Sequence, residues 1–157
     1  MPEFLADSII EKIDLVRELY HRLVMLVAPA GAGKTTVLQG VHERTAAPLV
    51  NVNLELSRRM LDLTGRQRAL QLPRLLSDIV LRSLGDVILL DNLEVLFDVS
   101  LKQDPLRLLQ GLSRNRTVVA AWGGAVSGDH LCYATPDHPE YRHYPVRDLI
   151  VVEGDCG

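Results

Sequence analysis

Leu23-Val24-Met25-Leu26-Val27-Ala28-Pro29-Ala30-Gly31-Ala32-Gly33-Lys34-Thr35-Thr36-Val37-Leu38 decides how this chain is read. An apolar run aims the backbone at the carboxyl edge of a sheet, and a loop of small residues follows it. Gly31 and Gly33 let that loop curl tightly enough to point successive N–H groups inward. A helix beginning near Gly33 adds the positive end of its dipole. This is the pattern of a phosphate-binding P-loop, in which Pro29 to Thr36 wrap the ligand. Lys34 reaches the outer phosphates and the Thr35 hydroxyl is placed for magnesium, so the expected ligands are ATP and Mg2+. Ala28 stands where the pattern usually has its first glycine, a small residue that still suits a strand end. The rival reading, a Gly-Ala turn capping an ordinary helix, does not explain the strand before and the helix after.

The chain has 157 residues, 17 basic and 20 acidic, with a net charge of −3. That length predicts one domain over 1–157. The charge balance supplies no global field toward DNA or an anionic membrane, so any nucleic-acid contact has to be local. Lysine occurs only at 12, 34 and 102, and the remaining cations are arginines. The two cysteines, Cys132 and Cys156, have neither metal nor disulfide spacing, and no apolar stretch has the length of a membrane span. A cytoplasmic protein with no membrane partner is expected.

Along the chain, Ser8 with Glu11 predicts a helix start, and Ile9, Ile13, Val16 and Tyr20 recur at helical spacing. The helix after the loop should run to about Arg44, and Leu49 to Leu54 should form a strand with Val50, Val52 and Leu54 on one face. Ser57 is read as the cap of a short helix stopped by Thr64-Gly65, with Arg66-Gln67-Arg68 as loop. A longer helix is expected with Pro73 in its first turn and Gly85 at its close. Val87 to Asp91 reads as a buried central strand, and Asp104-Pro105 opens a helix. Arg116 to Trp122 reads as a strand stopped by Gly123-Gly124, and Leu149 to Val152 as the last strand. Between them a polar segment rich in Pro, His and Tyr carries Leu131 to Ala134 as an edge hairpin arm. The fold class is therefore α/β, a parallel sheet flanked by helices, with a small C-terminal hairpin or polar insertion. Ligands of such sheets sit at the carboxyl ends of the strands.

Asp91 ends its strand at that edge, where it can serve magnesium together with Thr35. Hydrolysis also needs a group to orient or deprotonate water. The residue directly after Asp91 is Asn92, so Glu94 and Glu55 are rival bases, and a site lacking a competent base is the third alternative. Arg114 and Arg116 lie at the far end of their strand, where they read first as solvated or phosphate-contacting arginines and otherwise as groups acting on a neighbour's phosphate in a homo-oligomer. His130, His138 and His143 match no metal spacing and read as surface polar residues. Trp122 reads as core, with one indole hydrogen bond to give.

Four further blocks carry a more specific likeness: Val50-Asn51-Val52-Asn53-Leu54-Glu55-Leu56-Ser57, Leu90-Asp91-Asn92-Leu93-Glu94-Val95-Leu96-Phe97, Leu101-Lys102-Gln103-Asp104-Pro105-Leu106 and Ser113-Arg114-Asn115-Arg116-Thr117. With Ala121-Trp122 they make the chain resemble, over nearly its whole length, the BrxF family, the small P-loop proteins of type 3 BREX phage-defence systems. The resemblance implies a nucleotide-binding component of a prokaryotic cytoplasm, working beside a DNA methyltransferase, a helicase and a phosphatase-like protein. Contact with DNA would then come through the complex. An ATPase or nucleotide-gated switch is the leading expectation, an adaptor that holds nucleotide without turnover the second. A small-molecule kinase is disfavoured, since no arginine-rich lid follows Asp91.

Overall fold

Every residue of Leu23–Ala28 (β1) is buried, which places this strand at the heart of a sheet covered on both faces. The computed structural model describes residues 2–29, 31–134, 137–146 and 149–154. Ala30 of the P-loop set, Cys156 and Arg147 lie outside the described residues. β1 pairs in parallel with Thr117–Ser127 (β4) on one side and with Ile150–Glu153 (β7) on the other. Val87–Asp91 (β3) pairs in parallel with β4, and Leu49–Asn51 (β2) with β3, giving the order β2-β3-β4-β1-β7. The expected α/β architecture is the one found.

Two apolar layers follow from strand alternation. On one face Val24, Leu26, Leu89 and Val119 pack against Ala6, Ile9 and Ile13 of helix Pro2–Leu15 (α1) and Val37, Leu38 and Val41 of helix Lys34–Thr45 (α2). On the other face Met25, Ile88, Leu90 and Ala120 meet helices Val52–Arg59 (α3), Gly65–Arg82 (α4) and Pro105–Leu112 (α5). Asp104 caps α5 through the Arg107 N–H, with Pro105 just inside the helix, as expected.

Several local expectations are corrected. α1 starts at Pro2, a residue suited to a first helical turn, so Ser8 lies inside it. Tyr20 falls beyond its end, 67% exposed. The second strand stops at Asn51, because the Asn51 side chain accepts from the Leu54 N–H and turns the chain into α3. Glu55 and Ser57 are therefore helical. Thr64 opens α4 instead of ending a helix: it accepts from the Gln67 N–H, and Gln67 accepts from the Thr64 N–H. Arg66 to Arg68 form the first turn, and Pro73 sits inside the helix. A proline there frees the carbonyl four residues back. That carbonyl, Ala69 O, accepts from Gln103 Nε2 at 2.8 Å, so the defect is filled from another element. The helix closes at Ser83, before Gly85.

Gly123-Gly124 does not stop β4, which continues to Ser127 and pairs antiparallel with His130–Tyr133 (β5). β5 in turn pairs with Arg142–Pro145 (β6). The expected hairpin arm is present, and His130 and His143 lie on its two strands. The glycine has a steric purpose: a Cβ at Gly124 would lie 1.9 Å from the Cys132 carbonyl oxygen. Trp122, fully buried, donates its indole N–H to that same carbonyl at 3.0 Å. Phe97 stacks on Tyr133 at 3.6 Å between centroids. Among the described residues no helix is long and apolar enough to cross a membrane.

Candidate functional site

The loop between β1 and α2 reaches its shape through left-handed backbone at Gly31 (φ 80°) and Gly33 (φ 88°). Gly33 is the residue before the first turn of α2, so the opening N–H groups of that helix, at Lys34, Thr35 and Thr36, have no carbonyl within the helix to bind. They point out of the helix start, where an anion is favoured. Pro29 anchors the loop, its carbonyl accepting from Ala32 N and from Lys34 Nζ. Ala28 is the last strand residue, paired with Gly123 and buried, and its methyl group packs near Gly154. The strand end therefore accommodates alanine where the usual motif has glycine.

Lys34 folds over the loop, with Nζ 2.9 Å from both the Ala28 and Pro29 carbonyls. Burial pushes its ammonium below the usual range, while the Glu94 and Asp91 carboxylates pull the other way. Thr35 donates its hydroxyl to Asp91 Oδ2 at 2.6 Å. Asp91 is 5% exposed, and its second oxygen accepts from the Asn92 N–H at 2.9 Å. A hydroxyl against a carboxylate, both hard oxygen donors beside a ring of amides, is a donor set that suits magnesium on a polyphosphate. Gly31, Gly33, Lys34, Thr35, Asp91, Asn92 and Glu94 line a cavity of about 460 Å³ at this edge.

Asn92 takes a left-handed conformation (φ 56°), tolerable for asparagine, and this tight turn sends Leu93 into the core while returning Glu94 to the pocket. A methyl group added at Gly123 would lie 3.8 Å from Glu94 Oε1 and 4.0 Å from both Lys34 Nζ and Tyr133 Cε2. These three side chains thus converge on the end of β4. Tyr133 has its phenol pushed up by burial, then by Glu140 and Glu94. Asn53, which the sequence reading passed over, holds the Glu94 segment. Its N–H donates to the Asn92 carbonyl, its Oδ1 accepts from the Val95 N–H at 2.8 Å, and its Nδ2 donates to Glu94 Oε2 at 3.3 Å. The signal available for it was Asn51, a good helix cap, which would have put Asn53 in a first helical turn.

The remaining candidates lie elsewhere. Glu55 is on α3, facing Arg58 at 3.7 Å, and does not line the pocket. Arg116 donates to the carbonyls of Val80 and Ser83, closing the end of α4, and Arg114 stacks over Tyr20 at 4.9 Å. Both arginines precede β4 and so sit at the opposite edge from Lys34.

No protein-family model and no curated protein matches the chain. Among solved structures it is similar to C. elegans PCH-2, with a TM-score of 0.45 and 15% identity, over 98% of this chain and 41% of that one. The chain thus spans well under half the length of that protein. Loop, following helix, an acid-ended strand set one strand away from the loop strand, and a parallel sheet together make this a P-loop NTPase-like α/β fold.

Proposed function

We propose that the chain binds Mg-ATP in this pocket and works as an ATPase or nucleotide-gated switch in a BREX-type phage-defence complex. The observation that carries the nucleotide reading is the 2.6 Å contact between Thr35 and Asp91 beneath the glycine loop. Loop amides and Lys34 bind the phosphates, and Thr35 with Asp91 holds the ion that neutralises them. Glu94, at the mouth of the pocket, is the base, and Asn53 is its positioning residue. The defence role rests on the sequence blocks that resemble the BREX family, several of which, Asn53 and Glu94 among them, build this site. DNA and the other BREX proteins are then the partners, and the compartment is the cytoplasm. The adaptor reading has one observation in its favour: Asn92, and not an acid, stands directly after Asp91.

Turnover separates the two. Phosphate release by the purified chain, with and without duplex DNA, should fall about a hundredfold or more in Glu94→Gln. In Asn53→Ala the fall should be smaller, about tenfold and in kcat more than KM, through lost orientation. ATP binding without any release in the wild type would leave the adaptor reading standing. Asp91→Ala should remove the magnesium dependence of ATP affinity in calorimetric titration. Equal wild-type affinity with and without the metal would overturn the assignment of Thr35 and Asp91.

A further inference from the structure

The face of the sheet away from α1 carries a groove between α4 and α5 of about 350 Å³, with Leu76, Val80, Leu81, Leu108 and Leu112 among its walls. Beside the groove, Leu70 (73% exposed) and Leu81 (70%) lie on one face of α4 with Ser77 between them, and Leu84 (87%) is exposed just past the helix end. The rim is basic. α4 has four arginines and one carboxylate, Asp78, and α5 adds Arg107. Among the described residues Arg74, Arg82 and Arg107 form no salt bridge.

The complementary surface is on the same chain, on the opposite face. α1 contains Glu3, Asp7, Glu11 and Asp14 against one lysine; Asp7 pairs with Arg44 and Asp14 with Arg17, while Glu3 and Glu11 form no salt bridge among the described residues, and the helix exposes Phe4 (72%) and Leu15 (57%). Phe4, Glu11 and Leu15 have the i, i+7, i+11 spacing of Leu70, Ser77 and Leu81, so each helix offers two apolar knobs on one face, of opposite surrounding charge. Because α1 and the groove lie on opposite faces of one sheet, a molecule cannot join its own pair. We infer that α1 of a second copy docks into the α4/α5 groove. The contact is heterologous, head to tail, and so generates a ring or an open filament.

Sedimentation velocity on the full chain tests this. The wild type should associate as concentration rises, and less so at high salt, which screens exposed charges. A groove variant, Arg74→Glu with Arg107→Glu, and a helix variant, Glu3→Arg with Glu11→Arg, should each be weakened at least about tenfold. Mixing the two variants should restore association, since each then offers the charge the other lacks. Leu81→Ser, which alters no charge, should weaken association as well. A wild type that stays monomeric at high concentration overturns the inference, even if the groove then binds another protein or a nucleic acid. So does a Leu81→Ser or charge variant that associates like the wild type, or a mixture of folded variants that stays monomeric. None of these positions lines the phosphate pocket, so ATP binding reports on that site separately.

Discussion

Lys34→Ala is expected to weaken ATP binding by about ten- to a hundredfold, the loss of one charge-assisted contact worth roughly 1.5–3 kcal/mol. Folding should change little. The two carbonyl contacts of Nζ are lost, but so is the burden of a half-buried ammonium, and the two effects oppose each other. Calorimetric titration with ATP, beside a melting curve, checks both parts, and unaltered affinity would dismiss the pocket as a phosphate site. A pH series sharpens the test. The Lys34 pKa is lowered by burial, so the protein sheds this proton more readily than a free lysine would. Phosphate binding favours the charged form, and affinity is therefore full below that lowered pKa and falls as the pH rises through it, short of the ordinary 10.5. An arginine at 34 remains charged across this range, and Lys34→Arg should show no such decline.

Trp122→Ala should destabilise the fold by about 3–5 kcal/mol, the range for emptying a buried aromatic site. Trp122 is fully buried and its ring meets Phe97, Tyr133 and Tyr144 edge-on, at 5.0, 6.3 and 5.9 Å between centroids. Its N–H also binds the Cys132 carbonyl, which joins the hairpin to the core. Tyr144 in turn donates to Asp104, the cap of α5, so the cluster ties β4 and both strands of the hairpin to α5. Trp122→Phe keeps a ring but leaves that carbonyl without its indole donor, and should cost about 1–3 kcal/mol. Urea denaturation of the two variants should give this order at similar slopes. A Trp122→Ala protein as stable as Trp122→Phe would mean that the ring contributes nothing.

The central part of this molecule was legible from its sequence. Continuous apolar runs at Leu23 to Val27 and Val87 to Leu90 can be buried on both faces only in a parallel sheet, and the glycine loop fixes which edge binds. Thr35 and Asp91, 56 positions apart, were paired on that argument and lie in hydrogen-bond contact. What escaped were places where a side chain outweighs a pattern. Val50-Asn51-Val52-Asn53-Leu54 alternates like a strand, yet the Asn51 cap ends the strand and starts α3. Pro73 was read as a helix start, but Gln103, 30 positions later in the sequence, supplies the donor that lets it sit inside α4. Glu94 and Glu55 were not separable by spacing. The left-handed turn at Asn92 brings one to the pocket, and the helix of the other takes it away.

β4 is a single strand serving two sheets, parallel partners along its first half and an antiparallel hairpin along its second. The space beneath Cys132 admits a hydrogen atom and not a methyl group, so a slide that brings Ala125 into the spot Gly124 holds meets a clash, and a one-place slide in either direction turns every neighbouring side chain over. The arm therefore has one workable alignment, set from the phosphate edge outward. A change of length within either arm would break that alignment.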